Sequence, residues 1–310
     1  MCIFSRPIIS VNNTQIFARL TGKGSQYLAY QMQYNSKEEN AMILPIPVRS
    51  PSDETQVRFI DLQEYEFFFA DLARGFPFIP PSFNLTCSQT KSACDSLALK
   101  VHNVGNYIAS FVPTIDDFDR LDARFTLPKE TWQKVPQYSS FGFAVFQLAS
   151  GALEPHPMAF EFESNADSIF FPTMHIHDGE VHETEGFDHV LYMQHAGLDS
   201  KVNGYVNSDV ADRATGYVRS KKIANEFCNI SSAQGMVEPQ LLVHRHIIRG
   251  NQPNRDVEIS VIGDALKPSF NHRPYLRYLP WIVAVSAVAW FFRRRNRIKR
   301  SDKHDSDSTV

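Results

Sequence analysis

Cysteine is scarce in this chain: four residues in 310, no two of them closer than seven positions. The Cys-x-x-Cys pairs of a structural zinc site or a thiol redox centre are therefore absent from the sequence. Glycine is also thin, at 14 residues, and none builds a phosphate-cradling loop ahead of a helix. Only 21% of residues are charged, and the net charge of −3 includes six positive side chains gathered in Arg293–Arg300, so the remainder is acidic. That balance argues against a nucleic-acid partner for the main domain. No repeat of fixed period is present. Met1-Cys-Ile-Phe-Ser-Arg-Pro-Ile8 has neither the basic nor the apolar region of a secretory signal.

What the chain does have is apolar bulk: 43% hydrophobic residues, with 24 Phe and 11 Tyr. This composition predicts an α+β fold, a β-rich antiparallel domain with a few helices over residues 1–266, as one body or as two sub-domains meeting near 130–140. Apolar runs predict strands at Cys2–Ile9 and Gln15–Leu20, separated by a turn at Val11–Thr14. In the next run Leu28, Tyr30, Met32 and Tyr34 share one face, and Tyr27, Ala29, Gln31 and Gln33 the other. Ala41–Val48 reads as a strand that Pro45 and Pro47 confine to a sheet edge or to the strand's end. Helices are predicted over Gln63–Arg74 with Gly75 as the stop, over Ile115–Arg124 behind Thr114, and over Asp209–Phe227. A hairpin is expected within Leu97–Phe111. Further strands are expected at Phe141–Ala149, Met158–Glu163, Ile169–His177, His189–Gln194, Gln240–Arg249 and Val257–Ile262.

Near the end, a linker at 267–277 leads into the uncharged stretch 278–292, followed by a basic and then acidic tail at 293–310. At about 1.5 Å per residue the stretch covers roughly 22 Å of a hydrocarbon core of about 30 Å. Trp281, Trp290, Phe291 and Phe292 suit the two interfaces, and Arg293, Arg294 and Arg295 can extend outward on their apolar stems. A single-pass transmembrane helix is the expectation, with the lipid bilayer as a partner. The basic run places the tail in the cytoplasm and the domain outside, which needs an export signal upstream of Met1; the alternative is a cytoplasmic domain with a tail-inserted anchor.

The segments Cys2-Ile-Phe4, Gln31-Met-Gln-Tyr34, Ala41-Met-Ile-Leu-Pro-Ile-Pro47, Val104-Gly-Asn-Tyr107, Phe141 to Leu148, Pro157 to Phe162 and Phe171-Pro172 together resemble a bacterial family, the domain of unknown function 2330. The resemblance implies an extracytoplasmic β-rich domain with one C-terminal membrane helix, and it carries no catalytic residue.

Three constellations bear chemistry. Should Met1 be removed, Cys2 would offer a thiol beside its own α-amine, and with Arg19 at the end of the second strand the first twenty residues are similar to N-terminal nucleophile hydrolases. That similarity implies amide hydrolysis by Cys2. In His175-Ile-His177 two imidazoles share a face, His182 and His189 return after the Asp178-Gly179 turn, and Glu180, Glu183 and Glu185 add oxygen ligands, a set suited to a divalent metal. Cys87 and Cys94 flank a polar loop that a disulfide would close in an oxidising compartment, and His244-Arg-His246 is a second imidazole pair. The leading expectation is a membrane-anchored, non-enzymatic envelope or interaction domain with its protein partner unidentified, the Cys2 hydrolase and the histidine metal site standing as alternatives.

Overall fold

A strand that alternates between two apolar rows is stable only where a layer covers each face, and this requirement organises the molecule. The computed structural model describes residues 3–22, 24–49, 52–77, 101–104, 107–164, 168–202, 211–213 and 215–260. They lie in one compact unit, Met1–Lys267. The strands are β1 (Ile3–Phe4), β2 (Ser10–Leu20), β3 (Ser25–Ser36), β4 (Asn40–Ile46), β5 (Val57–Asp61), β6 (Val101–Val104), β7 (Tyr107–Val112), β8 (Gly142–Leu148), β9 (Gly151–Leu153), β10 (Met158–Glu163), β11 (Ser168–Phe171), β12 (Thr184–Gln194), β13 (Val218–Ile223), β14 (Leu242–Pro253) and β15 (Val257–Ser260). The short α-helices are α1 (Phe68–Arg74), α2 (Lys129–Gln133) and α3 (Ala196–Lys201).

Two sheets stack. One has the order β13-β14-β12-β2-β3-β10-β5 with β9 added beside β3, the other β1-β4-β8-β7-β6, and β11 pairs β15 separately. The Leu28, Tyr30, Met32 and Tyr34 row of β3 meets Met42 and Leu44 of β4 and Phe146 of β8 in the core between the sheets. Ala29, with Phe17 of β2, faces the other way, against Phe68, Phe69 and Leu72 of α1. The outer face of the smaller sheet, Ile43, Phe143 and Val145, is covered by Phe118, Trp132 and Tyr138. The central strands of both sheets are thus covered on both faces, while β9 and much of β14 stay exposed; this cover accounts for the demand for phenylalanine, and each ring fully removed from water contributes about 2–3 kcal/mol. The fold is α+β and mostly antiparallel, with β12 running parallel to β2.

Several local expectations give way to tertiary contacts. The expected turn at Val11–Thr14 is a bulge within one long strand: the β2–β3 register shifts between Asn12 and Gln15, and Asn13 takes φ 53°. Its N–H donates to Asp188 Oδ2 at 2.5 Å, so β12 helps to hold the bulge. β4 is not an edge strand, since Met42 and Ile43 pair with β1 on one side and β8 lies along the other. Pro45 sits one residue before its end. Ile115–Arg120 winds as a 3-10 helix, with Thr114 Oγ1 bonded to Asp117 rather than to backbone. The helix expected over Asp209–Phe227 is replaced over its described second half by β13, which pairs with β14; Gly216, at φ 74°, breaks the helical path just before it. The strand expected at Ile169–His177 ends at Phe171. Gly75 does follow α1, but in an ordinary helical conformation; its need for glycine is steric, because a Cβ there would come within 2.6 Å of the Phe227 ring.

No helix among the described residues is long and apolar enough to cross a membrane. The expected anchor at 278–292, with Trp281, Trp290, Phe291, Phe292 and Arg293–Arg295, lies outside the described residues, as do Cys2, Cys87 and Cys94.

Candidate functional site

β12 presents Glu185, Phe187 and His189 on one face, because alternate residues of a strand point the same way. Opposite this row runs the irregular segment that follows β11. It is tied down through its backbone: Phe4 N–H donates to the Ile176 carbonyl and Ile8 N–H to that of His177, both at 3.0 Å. From the other side Asn254 clamps it, accepting the His175 N–H at 2.7 Å and donating to the carbonyls of His175 at 2.9 Å and His182 at 3.0 Å. Asp256 adds bonds from the N–H groups of Thr173 (2.9 Å) and Met174 (3.0 Å) and from the Tyr138 hydroxyl (2.6 Å). Its burial outweighs these donors and pushes its carboxyl up to about 6.

The result is a stack of rings. His175 lies 4.2 Å from Phe187, 5.1 Å from His177 and 5.2 Å from His189, centroid to centroid, with planes within 28° of parallel. His175 is fully buried, and neither of its ring nitrogens has a hydrogen-bond partner among the described residues; nor has Nε2 of His177. Burial, with the His189 and His177 rings adding to it, drives the basicity of His175 well below its ordinary value, and burial takes that of His177 down to about 4. Both rings are therefore neutral at pH 7. Ligand atoms of His175, His177 and Glu185 lie within 4.8 Å of one another. His182 points elsewhere: its Nε2 is 3.0 Å from Asp178 Oδ2 on the exposed turn, and the hydrogen bond raises its pKa. The structure thus gathers His175, His177 and His189, leaves His182 with Asp178, and brings in Glu185.

Arg19 is committed to structure. Its Nε donates to the Met236 carbonyl at 2.6 Å and Nη2 to that of Gly235 at 2.5 Å, while its guanidinium lies 4.9 Å over the Tyr27 ring. His244 forms a 2.6 Å bond to Asp199, whose second oxygen accepts the Leu242 N–H at 3.1 Å. No serine hydroxyl or cysteine thiol of the described residues bonds to the other nitrogen of His244.

A depression of about 700 Å³ opens between α1 and β13. Pro77, Phe227 and Cys228 contribute its apolar lining, and Asp71, Arg74, Lys221, Lys222 and Glu226 its charges. Each wall holds an ion pair of its own, Arg74–Asp71 at 2.7 Å within α1 and Lys222–Glu226 on the β13 side. Burial pushes the Cys228 thiol up to about 12, so it is protonated and inert as a nucleophile at neutral pH. Phe67, 65% exposed, precedes α1. Sequence reasoning passed over this depression, whose walls lie about 150 residues apart in the chain.

No family model and no curated protein matches this chain. Among solved structures it is similar to baculovirus P35 at 15% identity and a TM-score of 0.44, over 84% of this chain and 100% of that one. A mutated baculovirus P35 after caspase cleavage gives 15% and 0.43, over 81% and 100%. The caspase-8/P35 complex gives 13% and 0.40, over 81% and 97%. At these scores the likeness assigns neither an activity nor a partner to this chain.

Proposed function

We propose that this chain is a protein-interaction domain, held at a membrane surface by residues 278–292, and that the depression between α1 and β13 receives an acidic loop of its partner. One observation carries the reading: the depression combines apolar lining with charges, Arg74, Lys221 and Lys222 against Asp71 and Glu226, that are net positive on a chain that is net acidic. Apolar centres ringed by polar side chains are how proteins hold proteins, and a local excess of positive charge selects an acidic partner and rejects like-charged ones. The only described cysteine there, Cys228, is protonated, which favours docking over nucleophilic chemistry.

The test is site-specific photocrosslinking. A benzophenone side chain placed at Lys221 is expected to give a discrete adduct with the partner that weakens when Lys222 is changed to Glu, while the same probe at Lys129, an exposed residue in α2, gives none. Caspase-8, the partner of one solved neighbour, is one bait and no premise of the reading. Equal crosslinking from both positions, or insensitivity to Lys222→Glu, would overturn the assignment of the surface. Membrane attachment is tested separately: carbonate-washed membranes should retain the full chain and lose a chain truncated at Pro274, and recovery of the intact chain in the soluble fraction would end that part of the proposal.

A further inference from the structure

The histidine stack leaves a physical problem that the protein-docking surface does not address. A neutral imidazole has one N–H donor and one lone-pair acceptor. His175 is wholly buried with both nitrogens unpartnered among the described residues, and His177 Nε2 beside it is unpartnered among them too. An unmade hydrogen bond of this kind costs about 1–3 kcal/mol for each buried group. A hydrophobic side chain of the same shape would avoid the cost, so the nitrogens call for a partner that the described residues do not supply.

Glu185 supplies the missing clue. It stands at the open end of the β12 row, half-buried, and its carboxylate has no hydrogen bond among the described residues. We propose that His175, His177 and Glu185 form a binding site for a first-row divalent transition ion of the zinc class. Two imidazole nitrogens and one carboxylate oxygen are the donors that zinc and its neighbours prefer, whereas calcium and magnesium seek oxygen alone. One negative charge against two leaves the occupied site with a net charge of +1 and a fourth position open to water or a further ligand. A tetrahedral ion at ~2.1 Å from each donor needs them within roughly 3.5 Å of one another. The observed limit of 4.8 Å therefore closes by about an ångström, which rotation of the half-buried His177 and Glu185 side chains provides.

The outer shell is already in place. The Asn254 clamp fixes the His175 backbone, and Phe187 packs on its ring, so the central ligand is held before any ion arrives. An ion here would tie the segment after β11, and β1 through its bridge from Ile3 to Ile176, to β12 of the larger sheet. Its effect would be to brace the junction of the two sheets. This inference does not depend on the partner-docking surface.

The experiment uses the full chain, stripped with chelator and titrated with Zn²⁺ by calorimetry and with Co²⁺ by visible absorption. One ion per chain is expected, with ligand-field bands of tetrahedral intensity and a rise in thermal midpoint on Zn²⁺ addition. His177→Ala and Glu185→Gln, chosen because both residues are half-buried and tolerate change better than His175, should each weaken binding by roughly a hundredfold and abolish the tetrahedral spectrum. His182→Ala, which breaks only the exposed pair with Asp178, should bind as the parent does. Circular dichroism verifies that each variant is folded. The proposal fails if the folded parent binds no ion, if His177→Ala and Glu185→Gln bind as tightly as the parent, or if only His182→Ala loses binding.

Discussion

The histidine stack and the α1–β13 depression invite comparison, because they solve opposite problems with polar side chains. In the depression Arg74 pairs with Asp71 and Lys222 with Glu226, and apart from the buried Asp71 these side chains face solvent. In the stack the polar atoms are inside, and those of His175 have no partner among the described residues. A satisfied, solvated rim asks nothing of the fold and is free to meet another protein; an unsatisfied buried group costs stability until something binds it. On the two proposals above, the difference separates a surface for a macromolecule from a pocket for an ion.

Perturbing the frame of the stack should have the largest effect. Asn254→Ala removes the partner of one backbone N–H and two carbonyls and is expected to cost about 3 kcal/mol, read as a drop in urea midpoint, together with weaker Zn²⁺ binding. A loss under about 0.5 kcal/mol would show that the clamp is dispensable and that the ring stack stands without it.

Next is the pH dependence set by Asp256. Its carboxyl is raised from 3.8 to about 6 in the folded state, so the native form holds the proton more tightly than the unfolded chain. The stabilising contribution is complete below about pH 4, declines between about pH 4 and 6, and is gone above, amounting to no more than about 3 kcal/mol because the residue is only partly buried. Asp256→Asn should flatten that part of the stability–pH curve. A parent curve that rises over this window, once other carboxylates are accounted for by the difference between parent and variant, would contradict the assignment.

A smaller effect of opposite sign is expected at His175. In chelator, His175→Phe removes two unpartnered nitrogens while keeping a ring against Phe187, and should stabilise the protein by about 1–2 kcal/mol. The same variant should lose all response to Zn²⁺. Destabilisation by 2 kcal/mol or more would mean that the nitrogens are satisfied in solution and that the contrast with the depression is false.

Least of all should change on the rim. Lys222→Ala breaks an exposed i,i+4 pair with Glu226 and is expected to alter stability by under about 0.5 kcal/mol, while weakening partner crosslinking from Lys221. A large stability change there would make the rim part of the fold rather than a docking surface.

Much of the fold was readable because alternation is local. The two rows of β3 went to two different cores, as their composition demands. The hairpin turning between Val104 and Tyr107 was also legible. The helix expected over Asp209–Phe227 was not, since β14 claims Val218–Ile223 as the edge of its sheet and no local preference reveals that. The site was half legible. His175, His177 and His189 were visible as residues of one chemistry and do meet. Glu185 was one of three acidic neighbours until β12 gave it the same face as Phe187 and His189, and His182 resembled its companions until Asp178 took its Nε2 at 3.0 Å.

The sequence by itself determined the chemistry available: aromatic bulk for several buried layers, period-two rows, paired imidazoles beside carboxylates, and an apolar run ahead of a basic one. Only the tertiary structure decided which rows face each other. β12 lies parallel to β2, 175 residues away at the Val190–Gln15 pair, and Asn254 closes on His175 from the far end of β14. Such pairings are chosen by the burial of the central strands from both sides at once, a sum over distant residues that no local window of sequence contains.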